Sequence, residues 1–258
     1  MSLRLALVLA LALAVTSHAA SAQDVAILGE VHDNPAHHAE QASHVAALAP
    51  KALVFEMLTP EQAGRVTPDL VADAGAMAEA LEWEAGGWPE FALYHPIFAA
   101  APGARIYGAQ VTREAARAVF ETGPAEAFGP EADAYGLSEP LPPGEQAARE
   151  ALQMAAHCDA LPEEALPGMV AVQRLRDAVL ARAVVQALAE TGGPVAVITG
   201  NGHARRDWGV PAYLGRVAPD LVVHVLGQTE DDAPLEGGFD EVVSTPAADR
   251  PDPCAAFR

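Results

Sequence analysis

Val25-Ala-Ile-Leu-Gly-Glu-Val-His-Asp-Asn34 decides how this chain is read. Four apolar residues run into Gly29, and Glu30, His32, Asp33 and Asn34 follow at once. A short apolar run closed by glycine predicts a buried strand and a tight turn. Polar groups just past the carboxyl end of such a strand stand where open α/β sheets take their ligands. Val195-Ala-Val-Ile-Thr-Gly-Asn-Gly-His203 has the same grammar near the other end, and Ala204-Arg-Arg-Asp207 follows it. The two strands are expected to deliver Glu30, His32, Asn201 and His203 to one crevice.

Working outward, further strands are predicted at 52–57, which ends in Glu56, and at 104–109, which leads to Gln110, Thr112 and Arg113. A fifth is predicted at 221–226 and an edge strand at 241–243. Helices are expected over 35–48, from Thr59-Pro60 onward, over 70–84, over 169–191 up to Gly192-Gly193, and over 211–217. The stretch 88–101 gathers aromatics in a chain otherwise poor in them. Strands alternating with helices predict an α/β fold, a mostly parallel doubly wound sheet, with 114–168 as a smaller helical insertion. In a parallel sheet Glu30 and His32, Glu56, Gln110 and Arg113, and Asn201 and His203 all emerge at one edge.

The 258 residues suffice for one large domain, and the formal net charge of -20 opposes binding to nucleic acid or anionic lipid. Arg4, the Leu/Ala/Val run over 5–15 and Ala20-Ser-Ala22 together read as a secretory signal over 1–22. The mature chain, 23–258, is then expected to be periplasmic or secreted and soluble, with no transmembrane span left after cleavage. Cys158 and Cys254 can pair in an oxidising compartment, and two free thiols are the alternative.

Glu30, His32, Glu56 and His203 form a mixed carboxylate–imidazole set. Such a set can hold a borderline divalent ion (zinc, manganese or cobalt) or perform general acid/base chemistry. Each residue alone is as readily a helix cap, a surface charge or a structural histidine; their joint placement at strand ends is what points to function. Arg205 and Arg206 suit a ligand bearing carboxylate or phosphate, the alternative being a salt bridge with Asp207. His37, His38 and His44 are a second metal site, the flank of the cleft, or residues of the helix surface. No Gly-x-Ser-x-Gly elbow, Walker loop or GxGxxG after the first strand is present.

Leu28-Gly-Glu-Val-His-Asp-Asn34 with His38 and Gln41, Phe55-Glu-Met57, Gln173 to Asp177, and Gly200-Asn-Gly-His-Ala-Arg205 with Gly209-Val-Pro211 resemble the ChaN-like haem-binding uptake proteins. That family belongs to a wider superfamily with the Tiki and TraB proteins and the erythromycin esterases. The resemblance implies an α/β domain with a smaller helical part, haem binding in bacterial iron uptake, a tyrosine as axial ligand, and a haem that a homodimer can share. Tyr94 matches the family pattern best as that ligand, with Arg113, Asn201, His203, Arg205 and Arg206 as further cofactor contacts. The chain departs from the family in lacking a lipid-accepting cysteine, and in carrying Gln110 and Thr112-Arg113 where the family tends to have Asn and a nearby basic residue. Two functions of different class follow: an exported haem binder, and a metal-dependent hydrolase of esterase or peptidase type using Glu30, His32, Glu56 and His203.

Overall fold

The structure is a computed structural model that describes residues 23–255. The expected signal at 1–22 lies outside the described residues. The strands are β1 (Val25–Leu28), β2 (Ala52–Phe55), β3 (Arg105–Gly108), β4 (Val195–Ile198), β5 (Val223–Glu230) and β6 (Glu241–Thr245). They form one sheet in the order β3-β2-β4-β1-β5-β6, and every neighbouring pair is parallel. The central strands are continuous apolar runs because both faces are covered. Val25, Ile27, Val54, Val195 and Val197 enter one core, whereas Ala26, Leu28, Leu53, Phe55, Ala196 and Ile198 enter the other.

The helices fall in chain order between these strands. Helix α1 (Pro35–Leu48) joins β1 to β2, and Asn34 caps it by accepting from the Ala36 amide. Between β2 and β3 run α2 (Pro60–Ala63), α3 (Pro68–Val71), α4 (Ala74–Ala80), α5 (Trp83–Gly86) and α6 (Phe91–Ala100). The single helix expected over 70–84 is thus three short ones. Asp73 opens α4 by capping the Gly75 and Ala76 amides, and Glu82, at φ 51°, breaks the chain before α5. Between β3 and β4 run α7 (Arg113–Phe128), bent at Gly123 with φ 78°, then α8 (Pro143–Ala156) and α9 (Leu166–Thr191). Helices α10 (Asn201–Ala204) and α11 (Val210–Val217) lead to β5.

Strand order explains where a crevice opens. The chain steps from β1 to β2 to β3 toward one edge, then back through β4 to β5. Crossovers of one hand running in opposite directions must cover opposite faces. Val45 of α1 and Tyr94, Ile97 and Phe98 of α6 accordingly pack in one core, and α7, α9 and α11 in the other. Strand β4 lies between β1 and β2, yet its following helices go to the opposite face. Such a switch point is where doubly wound sheets open a cleft beyond their carboxyl ends.

Cys158 and Cys254 are bonded, tying the end of α8 to the C-terminal tail. That tail is also held by Arg250, which donates to Asp33 and Glu230 at 2.6–2.7 Å. The bond closes a sequence separation of 96 residues. We expect Cys158→Ser with Cys254→Ser to lower stability by ~2–4 kcal/mol. Urea unfolding with and without reductant checks this, and identical midpoints would contradict it. No helix among the described residues is long and apolar enough to cross a membrane.

Candidate functional site

A cavity of about 640 Å³ opens at the carboxyl ends of the strands. Its size falls in the range of small-molecule and cofactor sites, ~300–1,000 Å³.

From β1, Gly29 leads to Glu30, which is 2% exposed. Glu30 Oε1 accepts from His32 Nδ1 at 2.7 Å and from the Tyr94 hydroxyl at 2.9 Å. Its other oxygen lies 3.4 Å from His38 Nδ1, and His38 Nε2 donates to the His32 carbonyl. His32 lines the cavity with Trp88 set edge-on against its ring. A Cβ at Gly200 would stand 3.0 Å from His32 Nε2, so glycine there lets the imidazole reach its place. Burial pushes the His32 imidazole down, but the Glu30 hydrogen bond and the Glu56 charge carry it up to about 9.

From β2 and β4, Glu56 and His203 meet. Glu56 Oε2 accepts from the Thr199 hydroxyl at 2.6 Å and the Gly200 amide at 2.9 Å, and Oε1 lies 3.5 Å from His203 Nε2. His203 Nδ1 donates to Asp177 of α9 at 2.6 Å. The imidazole thus stands between two carboxylates. Burial works against its charge, but Glu56 and Asp177 outweigh burial and raise it above its ordinary value. For Glu56, burial acts upward, and the charges of His203 and His32 with the Thr199 and Gly200 bonds bring it down to about 2. Asp177 goes the other way: burial raises it despite His203.

The far wall comes from β3, α8 and α9. Gln110 and Arg113 enter from the β3 exit, Arg149, Gln153 and His157 from α8 and its end, and Gln173, Arg176 and Asp177 from α9. Trp88, Val111, Leu152, Val170 and Trp208 supply apolar surface. Arg149 is paired with Glu145 and lies over Trp208. Arg113 and Arg176 have no carboxylate partner among the described residues, in a chain whose net charge is -20. Trp88 Nε1 and Gln153 Oε1 are buried without a hydrogen-bond partner.

His32, Glu56 and His203 therefore share one cavity, with Glu30 directly behind His32. Arg113 also lines it. Asn201, Arg205 and Arg206 do not, because each is engaged in holding the turn after β4. Asn201 exchanges two hydrogen bonds with the Gln228 backbone, fastening that turn to β5. Arg205 grips Asp207 through two bonds and stacks on Trp208 at 3.7 Å. Arg206 binds Asp240 and the Val223 carbonyl. Tyr94 is 0% exposed and does not line the cavity; its oxygen is spent on Glu30. Burial, and then Glu30, pushes its phenol far up. His37 and His38 are buried on α1, and His37 accepts from the Val31 amide. Among the described residues no group of three or more His, Cys, Asp and Glu side chains is arranged to hold a metal ion.

The sequence gives no role to Arg149, Gln153, His157 or Trp208, and Arg176 and Asp177 enter it only within the Gln173 to Asp177 stretch. One signal gives that stretch weight: α9 carries Arg176 and Asp177 amid a long apolar run. Charges in a helix that central usually face a partner or a ligand.

Among families of known proteins, the one described as "Haem-binding uptake, Tiki superfamily, ChaN" matches residues 16–214. Among solved structures, ChaN of Campylobacter jejuni, described for its cofacial heme binding, is 18% identical. The match covers 82% of this chain and 84% of that one, with a TM-score of 0.63. The type III effector HopBA1 is 11% identical over 87% and 88% of the two chains, with a TM-score of 0.46. Comparison with curated proteins gives no match.

Proposed function

This chain belongs to the ChaN haem-binding uptake family of the Tiki superfamily, and from that premise we propose that the 640 Å³ cavity is a haem site serving iron or haem uptake. The observation that carries the proposal is the pair Arg113 and Arg176, cations without carboxylate partners, beside apolar and aromatic walls in an otherwise acidic protein. Haem needs that combination: apolar surface for the ring and cations for two propionates. The buried, unpartnered Trp88 Nε1 offers one further donor.

Bound haem supplies a redox-active iron whose properties the axial donor and its hydrogen bonds set. Of the imidazoles on the wall, His32 is best placed to be that donor. Glu30 accepts from Nδ1, which fixes the ring and leaves Nε2 toward the cavity, the arrangement usual for metal-bound histidine. Tyr94, the ligand expected from the family resemblance, then acts from behind by donating to the same Glu30 oxygen. Export of the mature chain and sharing of haem between two copies belong to the same proposal.

The Asp177–His203–Glu56 chain favours a second reading, a hydrolase in which this buried acid–base set acts with Glu30 and His32 and a divalent metal. Hemin titration of the purified protein, followed by absorbance and set beside metal analysis, separates the two. We expect saturable hemin binding with a histidine-ligated spectrum. No saturable spectral change, with a divalent metal retained instead, would replace the haem reading by the hydrolase.

A further inference from the structure

Of the stretch Gln173-Arg-Leu-Arg-Asp177, the large cavity uses Gln173, Arg176 and Asp177 but not Arg174. Arg174 lines a second cavity of about 410 Å³, which shares Arg149 and Trp208 with the first. The segment between α7 and α8, from Tyr135 to Pro142, and the outward turn of α11 complete it.

Arg174 is 9% exposed. Its guanidinium has carbonyl partners, Gly136 at 2.7 Å and Glu139 at 2.9 Å, and its Nε is buried without any partner. No carboxylate pairs with it among the described residues. The three carboxylates of this cavity are engaged elsewhere: Glu139 with Arg216 at 3.2 Å, Glu145 with Arg149, and Asp207 with Arg205. A buried cation left with neutral partners is unfavourable unless an anion reaches it. The Tyr213 hydroxyl stands beside Arg174 and adds a second polar group, its phenol held protonated by burial and by the charge of Asp177. Leu141, Pro142 and Ala212 give the remaining wall an apolar character.

We propose that this second cavity binds a small monocarboxylate with an apolar body. The carboxylate meets Arg174 and the Tyr213 hydroxyl, and the body lies against Leu141, Pro142 and Ala212. A single uncompensated cation suits one negative charge, and the neighbouring Glu139, Glu145 and Asp207 repel ligands of higher charge. The site stands apart from the haem reading, since Arg174, Tyr213, Leu141, Pro142 and Ala212 do not line the large cavity.

The test is calorimetric titration of the full apo chain with benzoate and, separately, with inorganic phosphate. We expect saturable benzoate binding and weaker phosphate binding. Arg174→Gln should weaken benzoate by roughly tenfold or more, the value of one charge-assisted contact. Because Arg174 also holds the Gly136 and Glu139 carbonyls, Tyr213→Phe and Ala212→Phe are measured beside it. The first removes one hydroxyl and should weaken binding; the second fills the cavity and should abolish it. The proposal is overturned if the wild type shows no saturable benzoate binding, if phosphate binds as tightly, or if benzoate binds Tyr213→Phe and Ala212→Phe as it binds the wild type.

Discussion

His32→Ala is expected to leave a folded protein that binds hemin weaker by roughly tenfold or more and no longer shows a histidine-ligated spectrum. The change removes the imidazole that faces the cavity and leaves Glu30 its bond from Tyr94, so the buried carboxylate keeps a donor. Tyr94→Phe gives the opposite expectation. Tyr94 is wholly buried behind Glu30, and reaching the cavity would require Glu30 and His32 to move aside. Its loss should alter the strength of the Glu30–His32 bond, and with it the iron's reduction potential, while hemin stays bound. Absorbance and potentiometric titrations of both variants decide between the two side chains. A spectrum unchanged in His32→Ala but lost in a folded Tyr94→Phe would return the ligand role to the tyrosine.

Asp177→Ala should be the most destabilising single change in the site, by ~3–5 kcal/mol, because it leaves His203 buried with one of its two carboxylates gone. The sign with pH follows from the two shifted partners. His203 is raised in the folded state, so its contribution is complete below the ordinary value of 6.5 and fades as pH rises through the higher folded value. Glu56 is depressed to about 2, so its contribution is complete above 4.5 and is lost as pH falls toward that lower value. Asp177 itself is raised by burial and subtracts from stability once ionised, a cost that His203 offsets only in part. The wild-type advantage over Asp177→Ala is therefore expected to be greatest just below 6.5 and to shrink as pH rises above it. Urea midpoints of both proteins just below that value and well above it provide the check. Equal midpoints throughout would mean that the Asp177–His203 pair does not hold α9 to the turn after β4.

Much of the fold could be read from residues alone because its signals are local. Apolar runs such as Val25–Leu28 and Val195–Ile198, each stopped by a polar turn, mark buried parallel strands whatever surrounds them. The parallel arrangement then places Glu30, Glu56 and His203 near one edge, since strands running one way end on one side. The long helix ending at Gly192, with φ 73°, is equally a local matter of propensity and capping.

What the tertiary structure alone decided is which side of a turn or helix each side chain faces. Tyr94 and Phe98 are four residues apart and share a helix face, as the sequence implies, but that face turns into the core, where Phe98 stacks on Phe55 at 4.2 Å. Arg205 and Arg206 follow His203 directly, yet Asp207 and Asp240 draw them away from the cavity. The cations that do line it, Arg113, Arg149 and Arg176, come from three helices brought together only when α7, α8 and α9 pack beyond β3 and β4. Periodicity along one helix carries no information about the rotation and offset of its neighbours; those follow from the packing of all of them at once.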